Sequence, residues 1–336
     1  MWCPYAVQLY CTTICPCLCK HCQVRSPFPG HANFDNVIRN LEEIARLRIP
    51  YVDFTGGDPA SWPGLPEALD LSNRLGIYSS LTVSGPQIRR RGVKFIGLPS
   101  LLRFSIDGIP EFHDRNRGEG CFDDLIYGLE LAQKLRGSKK TQLIFTAIGG
   151  NHGNMDVETL SFILDLARTY GVMVNVNFLF NAFLSNETLD LLSWFGRQAD
   201  VKCSKGQVRF ILRGGNNTLD PTCRAVSSTL AITADNRLAL PCYHNAEQYL
   251  SLDGGIASAL LSREWKDAQR REGRYPFCRG CSVWCYILPS WVMMPDRLVT
   301  WLHALSGFQS IRDSALKSIG SRRSDYPYPA FRKPEL

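Results

Sequence analysis

Thirteen cysteines stand in this chain of 336 residues, and their spacing carries the first chemical signal. Cys11, Cys15, Cys17, Cys19 and Cys22 crowd one short stretch; Cys278, Cys281 and Cys285 crowd another, with Cys223 and Cys242 upstream of it. Disulfide scaffolds are usually short exported chains, and the start of this sequence has neither a basic nor an apolar signal region. Clustered thiols here therefore point to metal. In Cys15-x3-Cys19-x2-Cys22, three thiolates suffice for three irons of a cubane cluster and leave the fourth iron open. A tetrahedral zinc site would need a fourth ligand, for which His21 is at hand, and redox-active thiols are a further reading. The later set offers Cys223, Cys242, Cys278, Cys281 and Cys285, five thiols for a four-ligand site. Both a [4Fe–4S] cluster and structural zinc suit that donor set.

These thiols need elements to hold them. Short runs rich in Val, Ile, Tyr, Phe and Thr predict strands over Tyr5–Tyr10, Tyr51–Thr55, Tyr78–Val83, Leu101–Ile106, Thr141–Ile148 and Val172–Phe180. Helical periods separate them: Phe34–Leu47, Leu65–Leu75, Pro86–Val93, Phe122–Leu135 and Val157–Tyr170, with Glu187–Arg197 after the last strand. Alternating strands and helices imply a parallel sheet with right-handed crossovers. Six such units predict an α/β fold, a partial (βα)6 TIM-like barrel whose reactive face lies at the strand C-termini. The first cysteine loop follows the first strand and falls on that face. After residue 200 the pattern changes. Ala234-Asp235-Asn236 marks a hairpin, Ile256–Arg271 a helix, and the second cysteine set follows. The expected organisation is a barrel over 1–200, a small Cys-rich α+β appendage over 201–290, and an amphipathic helix (Pro295–Ile319) with a basic tail over 291–336.

Cys15-Pro-Cys-Leu-Cys19-Lys-His-Cys22 resembles the cluster loop of the radical S-adenosylmethionine (radical SAM) superfamily, and the resemblance extends over roughly residues 5–200. Thr55-Gly56-Gly57-Asp58-Pro59 resembles the family's glycine-rich motif, with Asp58 where Glu is more usual. Ser105-Ile106-Asp107-Gly108 ends the fourth strand, and the stretch from His113 to Phe122 is similar to that of peptide-modifying and molybdopterin-precursor members. The segments around Cys223, Cys242, Cys278 and Cys281 resemble the auxiliary-cluster domains called SPASM and twitch. The resemblance implies a SAM-binding [4Fe–4S] cluster on Cys15, Cys19 and Cys22, and one auxiliary [4Fe–4S] cluster on the four later cysteines. It assigns SAM contacts to His21, Gly56, Gly57, Asp58, Ser84, Ser105 and Asp107. It implies reductive cleavage of SAM to a 5′-deoxyadenosyl radical that takes a substrate hydrogen atom.

Each motif also has a plainer meaning. Gly-Gly-Asp-Pro and Ser-Ile-Asp-Gly are common turns. His113 reads as a hydrogen bonder, Cys17 as a bystander, Arg115, Arg117 and Arg213 as able to steer an anion, and Cys11, Cys121 and Cys203 as buried fillers. A non-catalytic iron–sulfur or zinc protein explains the cysteines but not the glycine and Ser-Asp motifs at strand ends. The net charge of +7 is mild for the size and favours anionic partners without demanding nucleic acid. No apolar run reaches membrane-span length, so a cytoplasmic enzyme is expected, with membrane contact at most interfacial. The chain starts close to its first strand. That favours a small-molecule substrate over a ribosomal peptide, which remains the alternative. A flavodoxin- or ferredoxin-type electron donor is the expected protein partner.

Overall fold

The computed structural model describes residues 4–17, 19–22, 30–137, 139–148, 153–178 and 185–292. Pro295–Ile319 and the basic tail lie outside them, as does Cys3.

The first half of the chain alternates as its apolar periods require. β1 (Ala6–Thr12), α1 (Phe34–Arg46), β2 (Tyr51–Gly56), α2 (Leu65–Arg74), β3 (Tyr78–Val83), α3 (Pro86–Phe95) and β4 (Leu101–Ile106) follow one another. Then come α4 (Pro110–Arg117), α5 (Cys121–Leu135), β5 (Lys140–Ala147), α6 (Val157–Tyr170), β6 (Met173–Phe178), α7 (Asn186–Phe195), β7 (Val201–Lys202) and α8 (Lys205–Leu212). α4 is not among the expected helices: its residues Pro-Glu-Phe-His-Asp-Arg-Asn-Arg are too polar to show an apolar stripe. Helix ends are capped locally, as where Asp156 accepts from Thr159 N–H at the start of α6 and Ser185 from Thr188 N–H at the start of α7.

β1 to β7 pair in parallel and in sequence order, the topology that alternating strands and helices imply. Along each strand, successive side chains point to opposite faces. Val52 and Phe54, Leu102, Phe104 and Ile106, and Val174 and Val176 turn outward into the core that the helices cover with Leu41, Ile44, Leu69, Leu129 and Ile163. The alternate residues line the inner face. They are Thr55, Thr82, Ser105, Gln142, Asn175 and Asn177, half-buried and polar, with an Arg103–Asp53 ion pair that Tyr51 and Ser80 complete by hydrogen bonds. An apolar-out, polar-in sheet of this kind encloses a site rather than a packed lumen.

The later residues do not stand apart from this sheet. α9 (Ala225–Ser228) leads into β8 (Thr229–Ile232), which pairs in parallel with the free edge of β1. β9 (Arg237–Leu240) and β10 (Gln248–Ser251) then extend the sheet antiparallel to ten strands. The expected hairpin is present, with Asn236 at φ 61° in its turn. The expected helix over 256–271 is two helices, α10 (Ile256–Leu261) and α11 (Arg263–Arg271). Ser262 interrupts it in extended backbone and caps α11 by accepting from Trp265 N–H. α12 (Trp284–Val292) closes the described chain. Among the described residues no helix is long and apolar enough to cross a membrane.

Candidate active site and second thiol site

The first cysteine loop leaves β1 at its C-terminal end and is fastened there by the end of β2. Gly57 N–H donates to Thr12 C=O at 2.8 Å and Asp58 N–H to Ile14 C=O at 2.9 Å. A Cβ on Gly56, at φ +129°, would lie 2.0 Å from Thr12 O, and one on Gly57 would lie 2.4 Å from Ile14 O. The two glycines are therefore needed, first, so that the β2 terminus can approach the cysteine loop, whereas the family resemblance implies that their freedom serves a ligand.

Behind this contact sits Asp58, 1% exposed. Its Oδ1 accepts from Ala60 N–H at 2.9 Å, while Oδ2 makes no hydrogen bond of normal length among the described residues, although the Ser84 N–H also draws on the carboxyl. Burial pushes the carboxyl up to about 7, against the pull of the Ala60 N–H. A buried, half-satisfied carboxyl beside a thiol loop is a ready acceptor for an ammonium group.

The thiols of Cys15 and Cys19 lie within hydrogen-bonding reach of Cys17, whose Sγ is also 3.9 Å from Cys121 Sγ and 3.7 Å from Ser84 Oγ. The expectation for Cys17 is a bystander and for Cys121 a buried filler. Here they form a thiol cluster around Gly85, whose Cβ, if present, would meet both sulfurs at 3.2 and 3.0 Å. Cys22 is exposed, its N–H donating to Cys19 C=O at 3.1 Å. Among the described residues no three His, Cys, Asp or Glu side chains stand in metal-ligating geometry. The fit to a cluster rests on three thiols on one short loop, and the fit to SAM on the orphaned Asp58 Oδ2 beside them.

Asp107 is not free to meet a ligand. It is fully buried, and Arg117 clasps it with two hydrogen bonds, Nε to Oδ2 at 2.8 Å and Nη2 to Oδ1 at 2.7 Å. Burial would raise this carboxyl, but the Arg117 guanidinium holds it below its ordinary value. Asn116 Nδ2 also donates to Oδ2, and His113 Nδ1 accepts from the Asp107 N–H at 3.3 Å, the hydrogen-bonding part expected of that histidine. Burial drives His113 down to about 4, so its ring is neutral. Asn154 Nδ2 bonds Asp107 C=O and Thr146 C=O, locking the ends of β4 and β5. Arg117 is thus a structural cation rather than an anion-steering one. Ser105, by contrast, faces inward on β4, half-buried. His21, in the cysteine loop, is tied to α4 by Asn116 Nδ2 at 2.9 Å.

The second set converges. Cys223, Cys242, Cys278 and Cys281 line one recess with Pro241, Phe277 and Tyr286. Four soft donors around one apolar pocket fit a thiolate-held metal group. Cys285 is not part of that lining; its thiol bonds the Gln8 side chain of β1 instead. The recess is assembled by Asn216, in the stretch Gly214-Gly215-Asn216-Asn217. Asn216 is 2% exposed. Its Oδ1 accepts from Thr222 and Cys223 N–H, and its Nδ2 donates to Gly273 and Cys278 C=O. Its own N–H donates to Cys281 C=O, and its C=O accepts from Gly280 N–H. Nothing in composition or periodicity marks such a hub, because its role is set by segments far apart in sequence. Between this recess and the inner face of the barrel, Tyr10 of β1 and Tyr243 stack at 3.5 Å, and Tyr286 Oη accepts from Tyr243 N–H.

Comparison with known proteins follows the same outline. Residues 9–163 match the model of the radical SAM superfamily. An AdoMet-dependent heme synthase from Oleidesulfovibrio alaskensis is 29% identical over 136 residues, which is 37% of this chain and 34% of that protein. A PqqA peptide cyclase from Ruegeria pomeroyi is 29% identical over 122 residues, 34% of this chain and 32% of that protein. The chain thus matches about a third of the length of these relatives. Among solved structures, Streptococcus suis SuiB bound to its precursor peptide SuiA superposes with a TM-score of 0.64 at 13% identity, over 84% of this chain and 70% of that one. The enzyme anSMEcpe with bound AdoMet superposes at 0.57 with 15% identity, over 79% and 82%. These two likenesses establish a shared fold, and the cysteine loop, the glycine motif and the parallel sheet fall within the matched region. Over residues 9–163 the chain is thus similar to the radical SAM superfamily.

Proposed function

We propose that this protein is a radical SAM enzyme with one auxiliary [4Fe–4S] cluster. In this reading it oxidises or rearranges a small polar metabolite, and the auxiliary cluster accepts an electron. The observation that carries the reading is the fastening of the cysteine loop to the Gly56–Asp58 segment at the C-terminal end of the sheet, with the half-satisfied Asp58 carboxyl beside it. Cys15, Cys19 and Cys22 would hold the first cluster, and Cys223, Cys242, Cys278 and Cys281 the auxiliary one. When bound, the first cluster and SAM supply a 5′-deoxyadenosyl radical able to abstract hydrogen from an unactivated carbon.

The chain's own residues then have distinct tasks. Asp58 accepts the SAM ammonium. Gly56 and Gly57 keep the loop seated. His21 and Ser84 border the nucleoside side of the site, and Ser105 offers a hydroxyl from the inner face. Asp107 acts at one remove, by fixing α4. The half-buried Gln142, Asn175 and Asn177 hydrogen-bond the substrate, and the segments after residue 200 exclude water from it. Among the described residues named on the inner face, the charges are those of the matched Arg103–Asp53 pair, which supports an uncharged, hydrogen-bonding substrate.

A peptide substrate is the second reading. It is favoured by the likeness to SuiB, a structure solved with its precursor peptide, and by the PqqA peptide cyclase relative. We place the protein in the cytoplasm, served by a flavodoxin- or ferredoxin-type donor, without nucleic acid as partner. Anaerobically reconstituted protein, reduced and given SAM, should release 5′-deoxyadenosine, and the Cys15→Ala/Cys19→Ala/Cys22→Ala variant should not. Iron-loaded wild type that releases none would refute the catalytic reading and leave an iron–sulfur or zinc scaffold.

A further inference from the structure

The cysteine loop has two arms, and the structure holds them by different means. The arm leaving β1 is held by backbone, through the Gly57 and Asp58 N–H groups. The returning arm closes on β1 by backbone at its far end, Thr13 N–H donating to Gly30 C=O and Ala32 N–H to Cys11 C=O, while its stretch with Cys19 and Cys22 meets the barrel through a side chain. Asn116 of α4 donates from Nδ2 to His21 Nδ1 at 2.9 Å. The same Nδ2 donates to Asp107 Oδ2. A carboxylate only accepts, so the Asn116 amide must present its NH2 group in this direction, and His21 Nδ1 must be the acceptor. The ring proton is then on Nε2. Asp107 is in turn kept ionised and oriented by the two-pronged Arg117 contact, 6% exposed on the arginine side. Orientation therefore passes from Arg117 to Asp107, to Asn116, to His21, each step fixing the polarity of the next.

We infer that Asn116 is a positioning residue for the cluster loop: through His21 it sets the tautomer of the ring and seats the returning arm that presents Cys19 and Cys22. This rests on the assignment of Cys15, Cys19 and Cys22 as iron ligands, proposed above. The imidazole at position 21 gives the inference its point. A phenyl or phenol ring in this place would offer Asn116 no nitrogen acceptor, whereas the imidazole couples the loop to α4.

Two measurements test it. The first is a double-mutant cycle on iron retention. Wild type, Asn116→Ser, His21→Phe and the double variant are loaded with iron, and its loss to a ferrous chelator is timed without SAM. A hydrogen bond of this kind is worth a factor of about two to twelve in an equilibrium. Asn116→Ser should therefore release the iron of the first loop about five-fold faster than wild type, and in the His21→Phe background it should change nothing further. Equal acceleration in both backgrounds would mean that Asn116 serves only Asp107 and the barrel, which overturns the inference; so would no acceleration in either. The second measurement is nitrogen NMR of histidine-labelled, iron-free protein, with His21 assigned by its loss in His21→Phe. His21 should be the Nε2–H tautomer in wild type and a mixture in Asn116→Ser. A mixture already present in wild type overturns the relay. The Cys15→Ala/Cys19→Ala/Cys22→Ala variant separates this from failure of the cluster reading. If it retains as much iron as wild type, the ligand assignment is wrong whatever the cycle shows, while the NMR result still reports the Asn116–His21 link.

Discussion

Replacing Asp58 by asparagine makes the protein report the electrostatic state of the buried wall beside its cysteine loop. In the folded protein the carboxyl ionises near 7, against an ordinary value of 3.8. A carboxyl raised on folding binds its proton more tightly in the native state than in the unfolded chain. Native stability therefore falls as pH rises from the unfolded value to the folded one, and levels off above it. Between pH 5 and 8, titration up to about 7 costs the native protein about 2.7 kcal/mol, at 1.36 kcal/mol per pH decade. The side chain of the Asp58→Asn variant carries no charge and keeps the Oδ1 contact to Ala60 N–H. Its unpaired amide costs roughly what the unpaired acid proton costs, about 1–3 kcal/mol, at either pH. Iron-free wild type and Asp58→Asn should thus differ by an amount that grows by about 2–3 kcal/mol from pH 5 to pH 8, in favour of the variant. Urea unfolding at the two pH values measures it. A gap that stays constant would show that the carboxylate is solvated or paired, and with it would go the argument that Asp58 Oδ2 awaits an ammonium. In iron-loaded protein the same substitution removes that acceptor. SAM affinity should then drop about ten-fold or more, the worth of a charge-assisted hydrogen bond.

Gly57→Ala forces a methyl to 2.4 Å from Ile14 O, a backbone atom that cannot swing aside; soluble expression should survive, but iron in the first loop should be lost. Cys223→Ser with Cys242→Ser should lower bound iron from about eight to about four per chain, and Cys285→Ser should leave it unchanged, as iron analysis will show. Zinc in the later site would instead refute the auxiliary-cluster reading alone. Asn216→Asp places an acceptor against the Gly273 and Cys278 carbonyls, which should strip metal from the later site while SAM cleavage persists. Asn175→Ala and Gln142→Ala should lower substrate turnover several-fold without changing SAM affinity by calorimetry; equal losses in both would assign these residues to SAM.

The parallel sheet was legible in the chain because its outward faces are apolar runs separated by helical periods, and both signals are local. β3 and β4 run over the residues their composition indicates, and every strand of the barrel is followed by its helix. The cysteine loop stood out by residue type and short spacing, whereas the glycine motif and the Ser105–Asp107 strand end took their meaning from the family resemblance alone. Tertiary structure alone decided what those residues touch. It spent Gly56 and Gly57 on the loop's own backbone and committed Asp107 to Arg117. It drew Cys17 into contact with Cys121, 104 positions away, and made Asn216 the hub that joins Thr222 and Cys223, Gly273, and the stretch from Cys278 to Cys281. It also merged the expected appendage into the barrel sheet, because the free edge of β1 offers unpaired backbone groups that β8 satisfies. Hydrogen bonding of buried groups is a global accounting, closed only when segments far apart in sequence meet, and no local pattern carries it.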